Sequence, residues 1–378
     1  MTDLLRAAMP SVPQGDLAQA ARRPWIVEQV NAGIKEARRA PTYATPNLAR
    51  WFRKNRSLGS RDRRVVGEII HGVIRHEALL LRAGARSPDD LVRLWADMND
   101  GDRFEHLPAT TPAEDYATAL NVPSPIATEW LERLGPEQAA AFAQSLTRRP
   151  PIDVRVNVQR TSRAELQAAL SDEGVETALV DGIDTALRVV GRANLLTTAA
   201  FKSGLFEVQD GASQRFAAAL PIEPGMKVID LCAGAGGKSL AMAARGAAVV
   251  ATDVRSNALS ELTKRAARAG VAIAVEDPSP APLVVVDAPC SGSGRLRRNP
   301  ALRWGLVDSA HLAVQAELVE AASELVEADG VLAYATCSLL ERENQPPLPP
   351  GWVTESEHTL WPHIDETDGF FWRLMKRG

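Results

Sequence analysis

The sequence predicts an α/β fold, a doubly wound sheet in the C-terminal half, preceded by a small α+β module and an all-helical region. Three observations carry this. Between residues 225 and 278, strand-like and helix-like stretches alternate. A glycine-rich turn, Cys232-Ala233-Gly234-Ala235-Gly236-Gly237-Lys238, joins the first of those strands to the first helix, and an acid, Asp253, follows about 20 residues on. Upstream, apolar residues recur at helical spacing.

Bulk properties narrow the class. A chain of 378 residues has room for two or three domains. A hydrophobic fraction of 45% and a charged fraction of 24% are those of a globular, water-facing protein. Three widely spaced cysteines make no disulfide framework, so reduced thiols in a cytoplasmic protein are expected. The first residues lack the pattern of a signal peptide. No apolar run approaches the roughly 20 residues of a membrane helix, so no membrane partner is expected. A monomer without a metal is expected. The net charge of -4 argues against general nucleic-acid binding and turns attention to local basic patches.

In the first region Ile26, Val30 and Ile34 share a helical face, as do Val65, Val66, Ile69, Ile70, Val73 and Ile74. Ser60 or Asp62 can cap the second helix. The stretch from Trp51 to Arg64 mixes arginines with two aromatics and reads either as a solvated face or as a phosphate-contacting patch. From Ala83 to Pro125 the pattern thins at Pro88, Pro108, Pro112, Pro123 and Pro125, and a helix returns from Trp130 to Leu146. Pro150-Pro151 marks a boundary. Beyond it Ile152–Val158 alternates as a strand, Ser162 caps a helix to Leu170, and strands follow at 186–190 and 204–208. Arg148, Arg149, Arg155, Arg160 and Arg163 either track a nucleic-acid backbone or are scattered surface charges. The expected boundaries are 1–145, 146–220 and 221–378.

The C-terminal half opens with a strand at Val228–Leu231, the glycine turn, a helix from Ser239 to Arg245, and a strand at Ala248–Thr252. A helix over Asn257–Ala269 stopped by Gly270 and a strand at Val271–Val275 follow. Glycines let the turn approach a ligand. The GxxxxGK[ST] spacing of a phosphate loop is absent, so a nucleoside-type ligand is expected, with Asp253 on ribose hydroxyls. Asp277, after the third strand, can accept from an adenine amino group, with an ordinary loop aspartate before Pro278 as the alternative. Lys238 is read as lying near a cofactor carboxylate, with a solvated first-turn residue as the alternative.

All three cysteines follow strand-like runs: Cys232 after Val228–Leu231, Cys290 after Val284–Asp287, and Cys337 after Val331–Thr336. Strand ends are where open α/β sheets bind ligands, so thiol chemistry beside a cofactor crevice is expected. Directly after Cys290 come Arg295, Arg297, Arg298 and Arg303, suited to RNA phosphates, and Trp304, which could stack on a base or simply pack.

Together "DLCAGAGGKS", "DAPCSGSGRLRRNPALRW", "YATCSLLERENQ" and "DGFFWRLMKR" resemble the Nol1/Nop2/Sun family of RNA cytosine-5 methyltransferases over about residues 200–378. The stretch "RSLGSRDRRVVGEIIHGVIRH" resembles the NusB-like domain that precedes the catalytic part in the RsmB-type bacterial ribosomal RNA methyltransferase branch. The resemblance implies a Rossmann-like, S-adenosylmethionine-dependent methyltransferase domain with a seven-stranded doubly wound sheet, a small RNA-recognition-like module and RNA as partner. It implies methylation of carbon 5 of a cytosine in ribosomal RNA, 16S rRNA first, with transfer RNA as the alternative substrate.

By this resemblance Cys337 is the nucleophile, Cys290 assists product release and Asp287 holds the base. Cys232, Ala233, Gly234, Ala235, Gly236, Gly237, Lys238, Asp253, Asp277 and Asp287 line the S-adenosylmethionine crevice. The family loop usually carries a proline where this chain has Ala235, which should loosen the turn. The Pro-rich stretch after Asn344 suggests that the last strands are pared down.

The implied chemistry explains the residue types. Carbon 5 of cytosine is a poor nucleophile until a thiolate adds to carbon 6. That thiol needs an environment that lowers a pKa near 8.5. A carboxylic acid with a raised pKa can assist at ring nitrogen 3. Two competing readings remain: an RNA-binding assembly factor that keeps the fold without turnover, and a nicotinamide-dependent oxidoreductase.

Overall fold

The computed structural model describes residues 15–41, 44–99, 112–191 and 193–378. Residues 1–14 and the expected break at Pro108 lie outside the described residues. The chain divides into two compact units, one of Met1–Arg149 with Ser291–Asp308 and Pro362–Asp365, the other of Pro150–Cys290 with Ser309–Trp361 and Glu366–Gly378.

The first unit is helical, and the periodic residues explain it. Ile26, Val30 and Ile34 are buried on Pro24–Arg38; Val66, Ile69, Ile70, Val73 and Ile74 are buried on Ser60–Arg75. Asp62 caps the latter by accepting from the Gly59 N–H at 3.3 Å. Where a thinning pattern was expected, helices run over Pro88–Asn99, Pro112–Leu120 and Ser124–Thr147. The prolines misled because Pro88, Pro112 and Pro125 sit in first turns, where a missing N–H costs nothing. The helix Ser124–Thr147 breaks at Gly135, whose φ of 71° is left-handed, and resumes at Pro136.

The second unit holds two sheets. Strands β1 (Asp153–Val156), β2 (Thr177–Leu179), β3 (Ala186–Val189) and β4 (Phe206–Val208) form an antiparallel sheet in the order β2-β3-β1-β4. Ser162 caps the helix Arg163–Asp172, accepting from the Glu165 N–H at 3.2 Å while Glu165 accepts from the Ser162 N–H at 2.8 Å. The arginines read as a possible backbone track are largely pinned. Arg155 is buried and donates to Gln209, Arg160 donates to the Ser203 carbonyl, and Arg149 pairs with Glu68 in the helical unit.

The seven-stranded sheet contains β5 (Lys227–Asp230), β6 (Ala248–Ala251), β7 (Ile273–Ala274), β8 (Ala281–Asp287), β9 (Val326–Thr336), β10 (Trp352–Leu360) and β11 (Phe370–Arg377), in the order β10-β11-β9-β8-β5-β6-β7. The strands β5 to β9 are mutually parallel, and β11 is antiparallel to both neighbours. Strand order reverses between β5 and β8, the switch point at which such sheets bind ligands. The expectation of pared-down final strands fails: β10 and β11 pair over nine and eight residues, and the short Pro-rich stretch is only the connection before them. The helix Ala310–Leu325, which lacks a clean apolar stripe in the sequence, makes the crossover from β8 to β9. Val228, Leu283, Val285, Ala333 and Trp372 fill the core on one face, and Ile229, Val284, Val286, Leu332 and Val319 the other. No helix among the described residues is long and apolar enough to cross a membrane.

Candidate active site

Strands β8 and β9 run side by side in parallel, with Asp287 opposite Ala335. This register carries the turns that follow to the same end of the sheet, and Cys290 Sγ lies 3.4 Å from Cys337 Sγ. Each turn is tied from behind. Buried Gln315 donates to the Pro289 carbonyl at 2.9 Å, and the Ala288 N–H continues the ladder to the Ala335 carbonyl. Around Cys337, Thr336 Oγ1 donates to Asn344 Oδ1 at 2.6 Å, and Asn344 Nδ2 donates to the Ser338 carbonyl at 3.1 Å, all among buried groups. Tyr334 on β9 donates to the Glu343 carbonyl and so anchors the same segment. Sequence reading missed Gln315, Thr336 and Asn344 as supports, because each acts through a partner set by the fold.

The glycine turn closes on β5 next door. Gly236 has φ of 82°, and an added Cβ would sit 2.6 Å from Leu262 Cγ, so only glycine fits there. Asp253 Oδ2 accepts from the Gly234 N–H at 2.8 Å, and its carboxylate also binds Arg255. Burial works to raise the Asp253 pKa, but the hydrogen bonds from Arg255 and Gly234 outweigh it and the net shift is downward. Lys238 Nζ lies 2.5 Å from Asp287 Oδ2 and 5.0 Å from the Phe370 ring centroid. Its ammonium is therefore aimed at the carboxylate that precedes Cys290. Asp277 lies in an exposed loop after β7.

The carboxyl with a raised pKa is Asp230, at the end of β5. Burial first, and then the nearby Asp287 and Asp253 carboxylates, lift it to about 6 against the opposing Ser239 bond and Lys238 charge. Ser239 donates to Asp230 Oδ2 at 2.6 Å, while Oδ1 is buried without a partner among the described residues. Cys232 is unsuited to nucleophilic work: burial, then Asp230, Asp287 and Asp253, push its thiol up to about 12.

The four arginines after Cys290 belong to the helical unit. Arg303 is a correction to the phosphate-contact expectation. It pairs with the buried Glu77 carboxylate, donates to the Asn121 carbonyl at 2.7 Å, and burial with Arg38 nearby lowers its pKa to about 10. Trp304 donates to Glu77 at 2.8 Å under the Arg38 guanidinium, so it packs internally and is not placed to stack on a base. Arg297 is also buried, and Arg295 and Arg298 are half-buried. A run of exposed cations in this unit lies elsewhere: Arg50, Arg53 and Lys54 on the helix Ala44–Lys54, then Arg56, Arg61 and Arg64.

A doubly wound sheet with an antiparallel strand inserted beside its edge, a glycine turn at the switch point and an acid after β6 defines a methyltransferase of the Rossmann-like class. The profile described as "16S rRNA methyltransferase RsmB/F" matches residues 217–348, and that for the RsmF/B-like ferredoxin-like domain matches residues 122–195. The ribosomal RNA small subunit methyltransferase B of Klebsiella pneumoniae is 31% identical over 277 residues, 65% of this chain and 64% of that protein. The match thus spans less than two thirds of that relative's length. The probable enzyme of the same name from Bacillus subtilis is 27% identical, over 70% of this chain and 68% of its own. The crystal structure of PH0851 superposes with a TM-score of 0.72 at 24% identity, covering 97% of this chain and 99% of that one. NSun6 from Pyrococcus horikoshii, solved with SFG, superposes with a TM-score of 0.57 at 19% identity, covering 66% of this chain and 97% of that one. The chain belongs to the Nol1/Nop2/Sun methyltransferases, in the RsmB-type branch.

Proposed function

We propose that this protein uses S-adenosylmethionine to methylate carbon 5 of a cytosine in ribosomal RNA, 16S rRNA first, through a covalent bond between Cys337 and carbon 6. The observation that carries the reading is the pair of thiols 3.4 Å apart beside Asp287, at the mouth of a glycine turn. The relatives named as ribosomal RNA methyltransferases support the substrate, and the SFG of the NSun6 structure, an S-adenosylmethionine analogue, supports the donor.

The turn suits such a donor. The first N–H groups of the helix Gly237–Ala244 have no acceptor within the helix and favour a carboxylate. Asp253, whose two oxygens accept from Gly234 and Arg255, would turn to ribose hydroxyls by releasing Arg255, and Asp230 Oδ1 is an acceptor still seeking a donor. When bound, the donor supplies an electrophilic methyl group on its sulfonium. Cys337, as thiolate, would add to carbon 6 and so make carbon 5 nucleophilic toward the methyl group the donor would supply. Asp287, whose Oδ2 accepts from Lys238, would hold the base. Transfer of the carbon 5 proton to water would return its bonding pair to the ring, re-form the carbon 5–carbon 6 double bond and expel the Cys337 thiolate, with Cys290 assisting release. The base must be single-stranded or flipped to enter. The helical unit, NusB-like by resemblance, offers its exposed arginines to RNA phosphates.

The test is Cys290→Ala with S-adenosylmethionine and 16S rRNA fragments. A denaturation-resistant protein–RNA complex is expected, and it must disappear in Cys290→Ala/Cys337→Ala. A non-catalytic RNA-binding factor forms no such complex in either variant, and that result sinks the reading.

A further inference from the structure

The glycine turn is also gripped from outside the sheet. Arg265, on the helix Ser256–Ala269, donates from Nη1 to the Ala235 carbonyl at 2.6 Å. Its remaining donors are held by Glu207 of β4, from Nε at 3.2 Å and Nη2 at 3.0 Å to Oε2. Arg268 takes the other Glu207 oxygen, and its guanidinium lies 3.8 Å from the Phe201 ring centroid. Glu207 is nearly inaccessible, with 5% of its side chain exposed, against 18% for Arg265 and 22% for Arg268. Just beyond the end of β4, Gln209 donates to the Gly237 carbonyl at 3.2 Å and accepts from Arg155 at 2.7 Å. Two relays therefore run from the four-stranded module into the turn.

These bonds fall where the turn needs them. Ala235 lies between two glycines in left-handed conformations, Gly234 at φ of 55° and Gly236 at 82°, so the turn has little intrinsic stiffness. The Ala235 carbonyl shares its peptide plane with the Gly236 N–H, which donates to the Ala233 carbonyl at 2.9 Å, and the Gly237 carbonyl shares its plane with the Lys238 N–H, so both contacts fix the turn where it enters the helix Gly237–Ala244. A guanidinium locked by a buried carboxylate loses little further entropy in fixing that carbonyl.

We propose that Arg265, oriented by Glu207, is a positioning residue for the donor-binding turn, making the four-stranded module a structural part of the methyl-donor site. This rests on the donor reading above. The test is calorimetric titration of the full chain with S-adenosylhomocysteine, alongside thermal unfolding. Arg265→Met removes the donor to Ala235. Arg268→Met removes the other partner of Glu207 and leaves the turn untouched. Both variants are expected to unfold at lower temperature. Only Arg265→Met is expected to bind S-adenosylhomocysteine about tenfold more weakly, the scale of a single well-oriented polar contact. Arg265→Lys, which can still reach the carbonyl, is expected to recover part of that loss. Equal binding by Arg265→Met and the parent, or equal weakening in Arg268→Met, overturns the proposal while leaving the donor reading intact. A parent that binds no S-adenosylhomocysteine sinks both.

Discussion

Replacing Asp230 with asparagine isolates the cost of burying a charge at the head of the donor turn. The carboxyl is fully buried, one oxygen accepts only from Ser239 and the other has no partner among the described residues. Its pKa is raised from 3.8 to about 6 in the folded state. An acid raised on folding favours the native state fully below its unfolded pKa, and that contribution is lost as pH climbs through the folded value. A shift of about 2 units is worth about 3 kcal/mol at 1.36 kcal/mol per unit. Asp230→Asn keeps an acceptor for Ser239 and cannot titrate. Its unfolding free energy relative to the parent should therefore rise by about 2 kcal/mol between pH 4 and pH 7, the rest of the change falling below pH 4, measured by urea unfolding at each pH. A difference that stays flat over this range shows that Asp230 carries no burial penalty and refutes the reasoning.

Three further outcomes follow from the same contacts. Asn344→Ala removes two of the bonds that hold the turn around Cys337, so a stability loss of about 2 kcal/mol and covalent complex formation at least about tenfold slower are expected, the latter timed in the Cys290→Ala background. Glu77→Gln leaves the buried Arg303 guanidinium without its carboxylate and should destabilise the helical unit by about 3 kcal/mol, read by thermal or urea unfolding. Reversing Arg50, Arg53 and Lys54 together to Glu should weaken RNA binding and flatten the slope of log affinity against log salt by about 2, with S-adenosylhomocysteine binding unchanged.

The legible parts of the sequence share one property: their signal is local. Short apolar runs marked β5, β6, β8 and β9, and Gly270, at φ of 72°, stopped its helix as expected. The glycine turn and the acid after the second strand needed only their spacing. Prolines misled between residues 83 and 125, because the same residue that breaks a helix interior is welcome in a first turn. The arginines after Cys290 misled for a related reason. A guanidinium reads as solvent-facing until a buried carboxylate such as Glu77, 226 positions away from Arg303, is brought to it.

Sequence by itself determined that a nucleoside-type turn and strand-end cysteines lie on one doubly wound sheet, since backbone periodicity and glycine geometry act between near neighbours in the chain. Tertiary structure decided what those parts face. It brought Cys290 and Cys337 together across 47 positions, turned Lys238 onto Asp287 and Arg265 onto Ala235, and drew Arg303 into the interior. Charges and thiols take their chemistry from groups distant in the chain, because electrostatic and hydrogen-bonding partners are selected by packing and not by sequence spacing.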